Sequence, residues 1–174
     1  MTVGYKRRLV ILIVSACMLS GLLAACGSSS VNQASNNRNL ACYALPMQDA
    51  QHLLNRPIGR SVHPTECDYV GHGVLLSVLL GTGRGGVQWA RQAWASVEKE
   101  TAQVRGKPFE VPSIVTVDHT QALWASGKEF GAGRLISIPG DYGIMIVLEG
   151  QVASPQAVAE RALAIAIRRM RAKA

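Results

Sequence analysis

The residue types in this 174-residue chain that could do chemistry are four cysteines, four histidines and one glycine-rich run. Cys26 has the most specific surroundings. Leu23-Ala24-Ala25-Cys26 sets small residues and a cysteine where a signal peptidase would cut. That is the arrangement of a lipobox, whose cysteine takes a diacylglycerol thioether and becomes the first residue of the mature chain. Upstream, Lys6, Arg7 and Arg8 form a basic segment and Leu9 to Leu23 is nearly all apolar, which completes the layout of a secretory signal. The apolar run is shorter than the roughly 20 residues needed to span a bilayer, so cleavage is expected rather than a retained anchor. Val14-Ser15-Ala16-Cys17 competes for the cut, but would leave the apolar octapeptide Met18 to Ala25 on the mature chain. After Cys26 the sequence turns at once to Gly27-Ser28-Ser29-Ser30.

The expected organisation is a signal over 1–25, a lipidated Cys26 with a polar tether over 26–39, and one domain over 40–174. The tether is rich in Ser, Asn and Gln with the single charge Arg38, and such a stretch buries too little apolar area to offset its ordering entropy. Of the other cysteines, Cys17 leaves with the signal. Cys42 and Cys67 remain, and in an oxidising compartment a disulfide between them is expected. Their separation is too wide for a redox motif, and two thiols without neighbouring ligands make a poor zinc site.

Export changes the meaning of the charge. The formal net charge is +7, but loss of Lys6, Arg7 and Arg8 leaves 15 basic residues against 11 acidic, or +4. A basic pI is then no pointer to nucleic acid, and no nucleic-acid partner is expected. The expected location is the extracytoplasmic side of a cell membrane, reached through the lipid anchor, with an envelope protein, lipid or glycan as partner.

Three constellations invite a sharper assignment. Gly81-Thr82-Gly83-Arg84-Gly85-Gly86 fits G-x-G-x-x-G between a strand and a helix, the setting of a dinucleotide loop. The preceding strand belongs to a hairpin, however, and no acidic residue closes a second strand about 20 positions on, so no cofactor is expected. His63, Glu66, Asp68 and His72 are close in sequence, but nothing fixes their convergence on a metal, and none is expected. Asp118 and His119 are adjacent, so on a strand their side chains would diverge. No catalytic residue is assigned. The remaining candidates form a contact surface: Trp89, off the main apolar stripe of its helix, and Arg161, Arg168 and Arg171, which recur along the last helix.

The elements that must position these residues follow from periodicity and turn chemistry. A short helix is expected from Pro46 to about Asn55, ended by Pro57 and Gly59, and a longer one from about Val87 to Val104 with Val87, Ala90, Trp94 and Val97 on one face. Ser154 and Pro155 open a final helix whose Ala159, Leu163, Ala166, Ile167 and Met170 share a face. Strands are expected over 67–70, 74–80, 114–117, 122–126, 134–138 and 144–148, with turns at Gly71-His72-Gly73 and Gly140-Asp141-Tyr142-Gly143. Strand runs joined by short turns give an α+β fold: an antiparallel sheet with about three helices packed mainly on one face.

The frame has a lipobox, a polar tether, and Cys42 before a short helix. Cys67-Asp68-Tyr69 then opens a strand, and a middle helix, an Ala-Leu-Trp strand, a hairpin and a last helix follow. It resembles the small actinobacterial cell-envelope lipoproteins grouped as a domain of unknown function. The resemblance implies a fold and a location and brings no catalytic residues. The expected role is a noncatalytic binding or accessory module of the cell envelope; the competing expectation is an exported hydrolase using a His and an acidic residue.

Overall fold

The computed structural model describes residues 39–103, 112–126 and 133–174. Cys26 and the tether up to residue 38 lie outside them, as does Val104. Residues Ala34–Ala174 form one compact unit.

The chain builds α1 (Leu40–Ala44), α2 (Met47–Leu54), β1 (Ile58–Val62), β2 (Glu66–Gly71), β3 (Val74–Thr82), α3 (Gly83–Gln103), β4 (Ser113–Val117), β5 (Thr120–Ala125), β6 (Gly133–Ser137), β7 (Tyr142–Gly150) and α4 (Pro155–Arg171). All seven strands join one antiparallel sheet in the order β1-β2-β3-β7-β6-β5-β4. The α+β expectation holds. At the centre β3 and β7 pair over nine residues, from Val74 opposite Gly150 to Thr82 opposite Tyr142.

Strand alternation sorts the side chains onto two faces. Leu76, Val78 and Leu80 of β3 share one face with Ile144, Ile146 and Leu148 of β7 and Leu135 of β6, all buried beneath α1, α2 and α4. α4 fits closely because Val158, Ala159, Ala162, Leu163, Ala166, Ile167 and Met170 make a continuous buried stripe, four of whose members are no larger than valine. The opposite face holds a second, smaller core, in which Ala90 and Val97 of α3 meet Leu123 and Ile136. Three of the four described helices therefore share a face, and α3 covers the other.

Several local expectations need correction. β1 lies where Pro57 and Gly59 were expected only to end a helix. Pro46 stands just outside α2 as its N-cap, and Asn55 ends that helix in the left-handed conformation, φ 49°. Ser154 occupies the N-cap position of α4 but is itself left-handed and makes no side-chain capping bond. Asp118 and His119 are not strand residues. Both have positive φ, 47° and 61°, and they form the two-residue turn between Val117 and Thr120, the geometry that matches the twist of a hairpin.

The glycine-rich run is not a loop. β3 continues through Thr82, and α3 begins at the next residue. A Cβ on Gly86 would stand 2.1 Å from the Gly81 carbonyl carbon, and one on Gly143 would stand 2.4 Å from the Gly86 oxygen. These glycines let the first turn of α3 lie directly on the backbones of β3 and β7.

Candidate functional site

The disulfide forms between Cys42 of α1 and Cys67 of β2, with Cα atoms 5.1 Å apart. Around it the start of the domain is fastened to the sheet. The Asn39 side chain accepts from Cys42 N at 3.0 Å, capping α1, while its amide nitrogen donates to the backbone oxygens of His63 and Glu66. The fully buried Tyr69 hydroxyl donates to the Leu45 backbone oxygen. Burial pushes the Tyr69 phenol up to about 12. This corner is structural: its polar groups are satisfied within the fold.

On the other side of β2, Ser61, His63 and Asp68 come together, with Ser77 beyond them. His63 Nε2 lies 3.2 Å from Asp68 Oδ2 and 3.3 Å from Ser61 Oγ, and Ser77 Oγ donates to Asp68 Oδ1 at 2.6 Å. A serine–histidine–aspartate relay needs the serine and the carboxylate on opposite ring nitrogens, one to take a proton and one to orient the ring. Here both partners use Nε2. Glu66 stands nearby, its carboxyl raised above its ordinary value by burial and, next, by the Asp68 carboxylate. His72 lies at the far end of β2, in the turn to β3, about 20 Å along the strand from Glu66 by the rise per residue. Among the described residues no group of three or more His, Cys, Asp or Glu is placed to hold a metal ion.

The glycine-rich run is used up in packing. The first α3 amide, Gly83 N, donates to Asp141 O at 2.9 Å, so this orphan helix donor already has a partner.

The four residues expected to make a contact surface do not come together. Trp89 is half-buried against the α3 core, whereas Arg161 and Arg168 are exposed on α4, which covers the opposite face of the sheet. Arg161 Nε donates to Ala157 O at 3.2 Å on its own helix. Arg171 is different. Its Nη1 donates to Asp118 Oδ2 at 2.7 Å, and its Nη2 reaches Asp118 O and Thr120 Oγ1, both at 3.2 Å. It clamps the β4–β5 turn to the end of α4.

That clamp forms one wall of an open cleft of about 1020 Å³ at the end of the sheet. α3 contributes Arg91, Trp94, Ala95 and Glu98, which lie on one stripe because they recur at three- and four-residue spacing. The β4–β5 turn adds His119, Thr120 and Gln121; the β6–β7 connection adds Ile138 to Tyr142; Arg171 closes the rim. Trp94 is half-buried, and its indole nitrogen donates to Glu98 Oε1 at 2.9 Å, which fixes the ring.

No protein-family model, no curated protein and no solved structure matches this chain.

Of the residues singled out in the sequence as a contact surface, only Arg171 lines the cleft. The others that line it were missed. Glu98 reads as a solvated helix residue and Trp94 as a core one, and only the topology brings them to His119 and Asp141. The available signal was weak, because Asp118-His119 lies between two short β-prone runs, Ile114 to Val117 and Thr120 to Trp124, without the glycine that usually marks a two-residue hairpin turn.

Proposed function

We propose that this chain is an exported lipoprotein, lipidated at Cys26 and held at a cell membrane, whose domain acts by binding a partner in the envelope rather than by turnover. The observation that carries the binding half is the cleft. Four separate elements build it, and the Trp94 ring in its wall is held by a hydrogen bond, the marks of a preorganised recognition surface. The anchoring half rests on the basic segment, the apolar run and Leu23-Ala24-Ala25-Cys26. No helix among the described residues is long and apolar enough to cross a membrane. The resemblance to envelope lipoproteins with two cysteines in the domain points the same way.

The hydrolase alternative has two histidine–acid pairs to draw on. In one, His63 offers a single nitrogen to both partners. In the other, the Asp118 carboxylate is held by Arg171. Neither pair assembles a serine–histidine–aspartate relay, since Ser61 and Asp68 share one nitrogen of His63 and Arg171 engages the Asp118 carboxylate.

The test has two arms. Cys26→Ser should release the protein from the membrane fraction or stall its precursor; palmitate labelling that survives Cys26→Ser and disappears with Cys17→Ser overturns the anchor. A photo-crosslinker replacing His119 should capture an envelope component in intact cells, and the same group at Arg161 should not. A hydrolytic activity abolished by His63→Ala or His119→Ala overturns the binding assignment.

A further inference from the structure

The cleft also says what kind of molecule it can hold. We propose that it binds a neutral saccharide chain, an inference that rests on the binding role assigned to the same cleft above.

Charge comes first. Arg91 and Arg171 on the rim are matched by Glu98 and Asp141, and Arg171 is already engaged with Asp118. A polyanion would have to stand beside two carboxylates, and like-charge juxtaposition of that kind costs several kcal/mol. A lipid tail fails for a different reason. It would strip water from Arg91, Glu98 and Asp141 and return no hydrogen bonds. An extended peptide is recognised most readily by adding a strand to a sheet edge, and no residue of either edge strand, β1 or β4, lines the cleft.

What the cleft does offer is suited to a polyhydroxy ligand. Trp94 presents a fixed ring against which the C–H face of a sugar can stack. Around it are side chains that donate or accept in pairs: the Arg91 guanidinium, the Glu98 and Asp141 carboxylates and the Gln121 amide. Hydroxyl groups can both donate and accept, so they answer all of these without carrying charge. The volume, at the upper end of the range for small-ligand pockets, and the open form suit a chain that passes through better than one enclosed ring. A lipid-confined domain needs only modest affinity per site, since its effective concentration near a surface polymer is already high.

The experiment uses the full chain purified in detergent and labelled with 15N. Trp94 indole resonances are followed while neutral tetrasaccharides of α-linked mannose, α-linked glucose and β-linked N-acetylglucosamine are added in separate titrations. Trp89 and Trp124 act as internal controls. At least one sugar should shift the Trp94 signal saturably and leave the buried Trp124 signal in place. Arg91→Ala and Gln121→Ala change exposed side chains, so the fold should survive, and each should weaken the response about tenfold. The proposal is overturned if none of the three sugars gives a saturable shift, or if the shift is unchanged in both variants. It is also overturned if an uncharged tetrapeptide or phosphatidylglycerol vesicles perturb Trp94 where the sugars do not. A silent sugar series together with successful crosslinking from position 119 removes the saccharide and leaves the binding role standing; failure of both removes both.

Discussion

Gly85 and Gly86 are neighbours in the first turn of α3, and alanine at each should change stability in opposite directions. At Gly86 the new methyl would lie 2.1 Å from the Gly81 carbonyl carbon, 2.4 Å from its oxygen and 2.7 Å from its Cα, where ordinary contact begins near 3.4 Å. All three obstacles are backbone atoms and cannot rotate away. The start of α3 must therefore lift from the sheet, which loosens Ala90 and Val97 against Leu123 and Ile136. Overpacking costs about 1–3 kcal/mol, and an immovable neighbour sets the upper end, so Gly86→Ala should cost about 3 kcal/mol. For a domain of this size that lowers Tm by about 10 °C. At Gly85 nothing lies within 4 Å of the new methyl. Gly85→Ala then only removes the entropic cost of a helical glycine and should stabilise by roughly 0.5 kcal/mol. Gly143→Ala points at the same place, 2.4 Å from Gly86 O and 2.6 Å from Ala90 Cβ. Its cost should add less than fully to that of Gly86→Ala, because one displacement of α3 relieves both. Urea and thermal unfolding of the three single variants and the double variant decide the matter. If Gly86→Ala falls within 0.5 kcal/mol of Gly85→Ala, the packing account of the glycine run is wrong.

Three further outcomes are expected. Reducing the Cys42–Cys67 bridge, or replacing both cysteines with alanine, removes a cross-link across 25 residues and should cost about 3.5 kcal/mol by the chain-entropy relation; an unchanged urea midpoint under reductant would refute this. Tyr69, pushed up to about 12 against an ordinary value near 10, contributes stability that is complete below pH 10 and lost as pH rises from about 10 to 12, worth roughly 2–3 kcal/mol. Unfolding curves in that window should steepen their loss relative to Tyr69→Phe, and parallel curves would reject the assignment. A double-mutant cycle of Asp118→Ala and Arg171→Ala should show a coupling of about 1 kcal/mol, near the top of the range for exposed pairs because the contact is 2.7 Å and the carboxylate is only partly exposed; additive single changes would mean that the ion pair contributes nothing.

The parts of the fold that were legible in the sequence are those whose signal is local. Met47, Ala50 and Leu54 recur at helical spacing, and Gly71-His72-Gly73 marks a hairpin whose register, Gly71 opposite Val74, leaves a two-residue turn. β1 was illegible because four of its five residues are exposed, so an edge strand of this kind has no apolar alternation to display, while Pro57 and Gly59 point to a break. The position of α3 was partly legible and went unread. Val74 to Leu80 is apolar except for Ser77, a pattern of burial on both faces, which requires cover on the second face as well as the first. The expectation of helices mainly on one face holds for α1, α2 and α4, and α3 supplies the cover that this run requires on the other.

The cleft was harder to foresee, since its residues lie at positions 91–98, 119–121, 138–142, 171 and 174 and nothing local unites them. The sheet register does. Glu66 pairs with Leu79, Leu80 with Ile144, Ile144 with Ser137 and Ser137 with Ala122, so the β1–β2 connection, the β6–β7 connection and the β4–β5 turn all sit at one end of the sheet. Asn39 is bonded to the backbone of the β1–β2 connection, which brings the start of the domain to that same end. Contacts far apart in sequence, set by strand register, therefore bring Asn39 and the cleft to one end of the sheet, and neither placement can be read from a single stretch of the chain.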